Sequence, residues 1–95
     1  MIMQIIRLKT NLSEEELLKR AHEREPQFKA IPGLVQKYYV KMGEPNSFGG
    51  VYVWDSEESL QTFRQSELAA SIPKAYELAE APGIEVLDVL FSLRE

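Results

Sequence analysis

The run Phe48-Gly49-Gly50-Val51-Tyr52-Val53-Trp54-Asp55-Ser56 constrains the fold of this chain more than any other segment. A glycine pair leads into alternating β-branched and aromatic residues, which read as a strand. Asp55-Ser56 then supplies a helix cap with no loop between. Side chains alternate along a strand, so Tyr52 and Trp54 share one face and Val51 and Val53 the other. Phosphate-binding loops precede a helix, whereas Gly49-Gly50 precedes a strand. The pair therefore reads as hairpin and close-packing chemistry.

The flanking segments fit around that junction. Ile2 to Leu8 is apolar and β-branched, a first strand, and Asn11-Leu12-Ser13 breaks it. Ser13 with Glu16 forms a capping-box pattern, and Glu14, Glu15 and Glu16 suit the positive end of a helix. That helix is predicted to run to about Phe28 with Leu17, Leu18, Ala21 and Phe28 on its buried stripe, kinking or ending early at Pro26. Ile31-Pro32-Gly33 turns the chain into a second strand, Leu34 to Met42, with Tyr38 and Tyr39 at its centre. Gly43 to Ser47 is a polar hairpin loop. After the third strand comes a helix with Leu60, Phe63 and Leu68 inward. Ser71-Ile72-Pro73 starts a short helix to about Ala79. Ala81-Pro82-Gly83 turns into a last strand, Ile84 to Leu93.

The order is βαββαβ, an α+β, ferredoxin-like arrangement in one domain spanning residues 1–95, with a four-stranded antiparallel sheet and helices on one face. Such helices leave the other face open. Yet the last strand is apolar at both parities, with Ile84, Val86 and Leu90 against Leu87, Val89, Phe91 and Leu93. A second copy of the chain is the expected cover, giving a homodimer through the sheet face.

Several functional classes fall away. The net charge is −4 and the basic residues are scattered, so no stripe exists for a nucleic-acid backbone. RNA-recognition domains share this strand order, but Gly50 stands where their second stacking aromatic belongs. With no cysteine there is no disulfide or thiolate chemistry. The apolar start reaches Arg7 and Lys9 too soon for a signal peptide, and no segment is long enough to span a bilayer. A cytoplasmic location is the expectation, with no membrane and no nucleic acid among its partners.

Candidate chemistry rests on a few side chains. Tyr38, Tyr39, Tyr52, Trp54, Phe63 and Tyr76 are suited to lining a pocket for a flat, partly polar ligand, or to serving as core and interface aromatics. Tyr38 and Tyr39 must face opposite sides, and the hairpin register decides which joins the wall. His22 is the sole histidine. His22-Glu23 starts like a zinc-protease motif, but Pro26 takes the second histidine's place. His22 is either a base at a pocket rim or a solvated helix residue. Lys37 and Arg64 are candidates to hold a phenolate or an acid, with surface solvation or an interface ion pair as the competing account. Glu14, Glu15 and Glu16 are consecutive on a helix and do not converge on a metal. Neither a metal nor a cofactor is expected.

Pro32-Gly33-Leu34, Lys37-Tyr38-Tyr39 and Gly49 to Ser56 with its following helix resemble the small dimeric α/β-barrel proteins. Within them the chain is most similar to the YdhR-type monooxygenases, relatives of the antibiotic biosynthesis monooxygenases. The resemblance covers nearly the whole sequence, including Tyr76 and Pro82-Gly83. It implies dimerisation through the sheets and a pocket in each subunit between sheet and helices. Some relatives oxidise aromatic polyketides with molecular oxygen and no flavin, haem or metal. Haem-degrading members carry a histidine on the helix after the third strand, and the segment from Ser56 to Ala70 has none. Quinol-oxidising relatives use Asn, Trp, Tyr and Arg, for which Trp54 alone has a matching position. The implied function is a cofactor-independent monooxygenase acting on a small aromatic or phenolic compound. On that view Tyr52 and Trp54 line the site, Lys37 or Arg64 stabilises an anion and His22 is a base. The alternative is a non-catalytic small-molecule-binding or dimerisation module.

Overall fold

The computed structural model describes residues 1–94. The glycine-led segment is β3 (Ser47–Trp54), which lies between β1 (Ile2–Lys9) and β2 (Leu34–Lys41). β4 (Gly83–Asp88) joins the free side of β1, so the order is β2-β3-β1-β4 with every neighbour antiparallel. This is the ferredoxin-like α+β arrangement. Helical segments α1 (Glu14–Glu23), α2 (Glu25–Lys29), α3 (Glu57–Arg64), α4 (Glu67–Ala70) and α5 (Ile72–Ala75) complete it.

Serine caps place the helices. Ser13 Oγ accepts from the Glu16 backbone N–H at 3.1 Å, and Ser56 Oγ from that of Ser59 at 3.2 Å. The first helix, expected to kink or end early at Pro26, breaks at Arg24, and Pro26 opens the next turn, where its missing N–H costs nothing. Leu17, Ala21 and Phe28 are buried as predicted, but Leu18 lies on the exposed side. The helix after β3 likewise stops at Gln65, and Ser66 caps α4. The short helix after Ser71 ends at Ala75 instead of Ala79, and Glu77 follows with a positive φ of 49°.

The last strand ends at Asp88, not Leu93. Its final pair is Asp88 with Ile2, the first residue of β1. Val89 N–H still reaches Met1 O at 3.0 Å. Beyond it, Leu90, Phe91 and Leu93 stand exposed.

Register divides the sheet's two faces. Gln4, Ile6, Leu8, Tyr52 and Trp54 point to the helices and are buried. Met3, Ile5, Val51 and Val53 point away, joined by exposed Tyr38 and Leu87. An irregularity between Leu34 and Gln36 inserts Val35 into β2, after which Lys37 pairs with Tyr52 and Tyr39 with Gly50. Lys37 and Tyr39 therefore face the helices, and Tyr38 faces away.

Under the helices, the core is dense at one end. Trp54 is fully buried, and its indole N–H donates to Gln4 Oε1 at 3.0 Å. Its ring stacks on Tyr52 (6.1 Å, 4°) and tilts against Phe63 at 5.2 Å.

Candidate functional site

The other end of the same core holds charge. Gly50 makes the space: a Cβ there would lie 2.9 Å from Tyr52 Cε1 and 3.3 Å from Lys37 Cε. With no side chain at that position, the Lys37 stem crosses the strand and its ammonium lies among rings. Nζ is 3.5 Å from the centroid of Phe28, 4.3 Å from Tyr39 and 4.6 Å from Tyr52. The π faces attract the cation. Burial opposes it, and with the nearby Arg24 charge brings the ammonium down to about 7. No carboxylate lies within 4 Å of Nζ among the described residues.

Arg24 is the residue on which α1 ends and α2 begins. Its Nη2 donates to Ser71 Oγ at 3.0 Å, and its guanidinium lies 5.6 Å from both the Phe28 and Tyr76 rings. Its Nε is buried with no hydrogen-bond partner. Around these two cations stand three phenols. Burial pushes Tyr39 up to about 12 and raises Tyr52 and Tyr76 as well. At neutral pH all three are therefore protonated donors, while Lys37 exchanges its proton readily.

The space beside Lys37 is small. An inner cavity of about 20 Å³ is lined by Lys37, Tyr39, Tyr52 and Tyr76 among others. That suits one water, whereas a dry cavity that takes up benzene is about 150 Å³. A recess of about 300 Å³ opens at the β2 edge, bordered by Glu25 and Gln36. Phe28, Lys37 and Tyr39 form a wall common to both.

The structure thus brings together Lys37, Tyr39, Tyr52 and Tyr76 and leaves the other candidates elsewhere. Trp54 borders none of these spaces and is a core residue. Phe63 packs behind Tyr52 at 5.5 Å. Tyr38 is on the open sheet face. His22 is exposed on α1 with Nδ1 3.5 Å from Glu25 Oε1. Arg64 is exposed and borders a separate recess with Ala69 and Ile84. Sequence reasoning gave Arg24 no role and placed Phe28 only in the core. A signal existed: Arg24 and Phe28 are four apart, so a buried Phe28 brings Arg24 inward with it. Among the described residues no cluster of His, Cys, Asp or Glu is placed to hold a metal.

Comparison with known proteins gives a consistent picture. The family model described as "Putative mono-oxygenase ydhR" matches residues 2–80. No curated protein matches. Among solved structures, a protein of unknown function from Nitrosomonas europaea aligns with a TM-score of 0.78 at 23% identity, covering 96% of this chain and 90% of its own. SnoaB, a cofactor-independent oxygenase from Streptomyces nogalater, aligns with a TM-score of 0.76 at 14% identity, covering 99% and 97%. A putative antibiotic biosynthesis monooxygenase from Bordetella bronchiseptica aligns with a TM-score of 0.77 at 19% identity, covering 95% and 97%. At these identities the likeness is one of fold.

Proposed function

Because this chain belongs to the family described as putative mono-oxygenase ydhR, we propose that it is a cofactor-independent monooxygenase acting on a small phenolic compound at Lys37. One observation carries the reading: a lysine amine held among three rings, near a second cation and with its ammonium brought to about 7. Neutral Lys37 takes the phenol's proton. The ammonium so formed, the Arg24 charge and the protonated tyrosines then stabilise the phenolate. An electron-rich phenolate passes one electron to oxygen, the radical pair joins as a hydroperoxide, and loss of water leaves a quinone. The sum is phenol plus oxygen to quinone plus water, so the substrate is the reductant. The inner cavity is too small for a ring. The substrate ring therefore occupies the recess at the β2 edge, its hydroxyl toward Lys37.

The test is oxygen uptake with a panel of dihydroxyaromatics in metal-free buffer. Turnover is expected to rise with pH through about 7 as Lys37 loses its proton. Lys37→Met is expected to lower kcat by about 10²-fold or more. Equal uptake by the variant overturns the assignment.

The alternative is a non-catalytic small-molecule-binding or dimerisation module, favoured because, among the described residues, no ring-sized space is enclosed beside Lys37, where the inner cavity is only about 20 Å³. Phenol binding without oxygen uptake by the intact protein would select it. Under either reading a second copy covers the open face, where Met3, Ile5, Val51 and Val53 form an apolar strip beside exposed Tyr38 and Leu87. Sedimentation is expected to find a dimer at micromolar concentration and a monomer for Val51→Asp. A monomeric parent protein removes the dimer.

A further inference from the structure

We propose that Lys37 is also a nucleophile, whose amine condenses with small aromatic aldehydes to form an imine. A lysine that does this must be reachable, must be able to lose its proton, and must lie beside surfaces that hold the incoming carbonyl compound. Lys37 borders both the inner cavity and the outer recess, so a molecule in the recess meets its amine. Phe28 and Tyr39, which share that wall, offer ring faces for an aromatic body. The remaining lysines, Lys9, Lys19, Lys29, Lys41 and Lys74, are all exposed. Two of them also meet carboxylates, Lys41 with Glu14 at 3.0 Å and Lys9 with Glu44 at 3.8 Å.

The charged and titratable groups around the amine come from every packed element. Arg24 approaches from the α1–α2 junction, Tyr39 from β2, Tyr52 from β3 and Tyr76 from the end of α5, while Glu25 borders the recess. Arg24 and Lys37 both lie within 5.6 Å of the Phe28 centroid, so a second positive charge is resisted there. That is the environment in which lysine amines are activated by desolvation and a neighbouring cation. In the step itself the amine nitrogen bonds to the carbonyl carbon and the C=O π pair moves to oxygen. That oxygen takes up a proton, for which the protonated phenols are adjacent donors. The amine gives up its two protons, one restoring the phenol and one passing to the same oxygen, which leaves as water, and the C=N bond remains. No oxidant or reductant takes part, so the imine chemistry stands or falls separately from oxygen uptake.

The experiment traps the imine. The intact protein is incubated at pH 7 with 4-hydroxybenzaldehyde and cyanoborohydride, and the secondary amine is located by peptide mass mapping. The α-amine of Met1 is scored on its own peptide. Lys37 is expected to be labelled at least roughly tenfold faster than any exposed lysine. Labelling of Lys37 no faster than the exposed lysines overturns the proposal. Arg24→Gln is expected to slow Lys37 labelling several-fold at pH 7, to match the parent at pH 9, and to leave the exposed lysines unchanged. If labelling is unaltered at both pH values, the second cation has no part in the activation.

Discussion

Trp54 and Lys37 flank Tyr52 under the same helix layer, yet their surroundings are opposite in kind. At Trp54 the buried indole N–H has its partner in Gln4 Oε1, and the ring is closed in by Tyr52 and Phe63. At Lys37 two cations lie near one another with no carboxylate within 4 Å of either among the described residues, one guanidinium nitrogen has no acceptor, and a small cavity remains. Burial alone does not distinguish core from site. Satisfaction does: the first arrangement leaves no buried donor without an acceptor, and the second does.

The contrast can be broken by substitution. Trp54→Ala is expected to have the largest effect, a loss of about 3–5 kcal/mol in urea denaturation, because the site can neither collapse nor hydrate. A loss well below that would mean Trp54 is less central to packing than its burial implies. Lys37→Met is expected to act in the opposite direction, stabilising the fold by roughly 2–4 kcal/mol near pH 7, with the π faces reducing the gain. The sign follows from the folded lysine at about 7 against 10.5 unfolded. Between those values the unfolded chain binds more protons, so the parent gains stability as pH rises and the variant's advantage fades toward pH 10.5. An advantage independent of pH would mean that Lys37 is not desolvated in solution. The smallest effect is expected for Gln4→Leu, a loss of about 1–3 kcal/mol in the same assay from orphaning the Trp54 N–H. If that change is neutral, the indole donor finds another acceptor and the Trp54 end is less fully satisfied than described.

Much of the fold is legible from local chemistry. Ser13 and Ser56 announce their helices, and the alternation through Val51, Tyr52, Val53 and Trp54 fixes β3. The break near Arg24 is announced by Pro26, whereas the one at Gln65 is harder, because the apolar pattern of Leu60, Phe63 and Leu68 runs on through it. The end of β4 at Asp88, opposite Ile2, is a matter of its pairing with β1, a non-local fact. The site is least legible of all. Which of Tyr38 and Tyr39 turns inward depends on one extra residue, Val35, in β2. That Lys37 lies among rings depends on the absence of a side chain on the neighbouring strand. Trp54 looked like pocket lining because large aromatics with polar tips suit ligands and cores equally. Gln4, which accepts from the buried indole N–H, is fifty positions away.

Gly50 has a consequence for how such a site can change. It carries no reacting group, and the atoms a Cβ would meet belong to the Tyr52 ring and the Lys37 stem, not to backbone. A methyl group there presses first on the buried Tyr52 ring, at 2.9 Å, and then on the Lys37 stem, at 3.3 Å. Position 50 is thus a steric dial, through which one carbon would shift the Tyr52 ring and the Lys37 stem together.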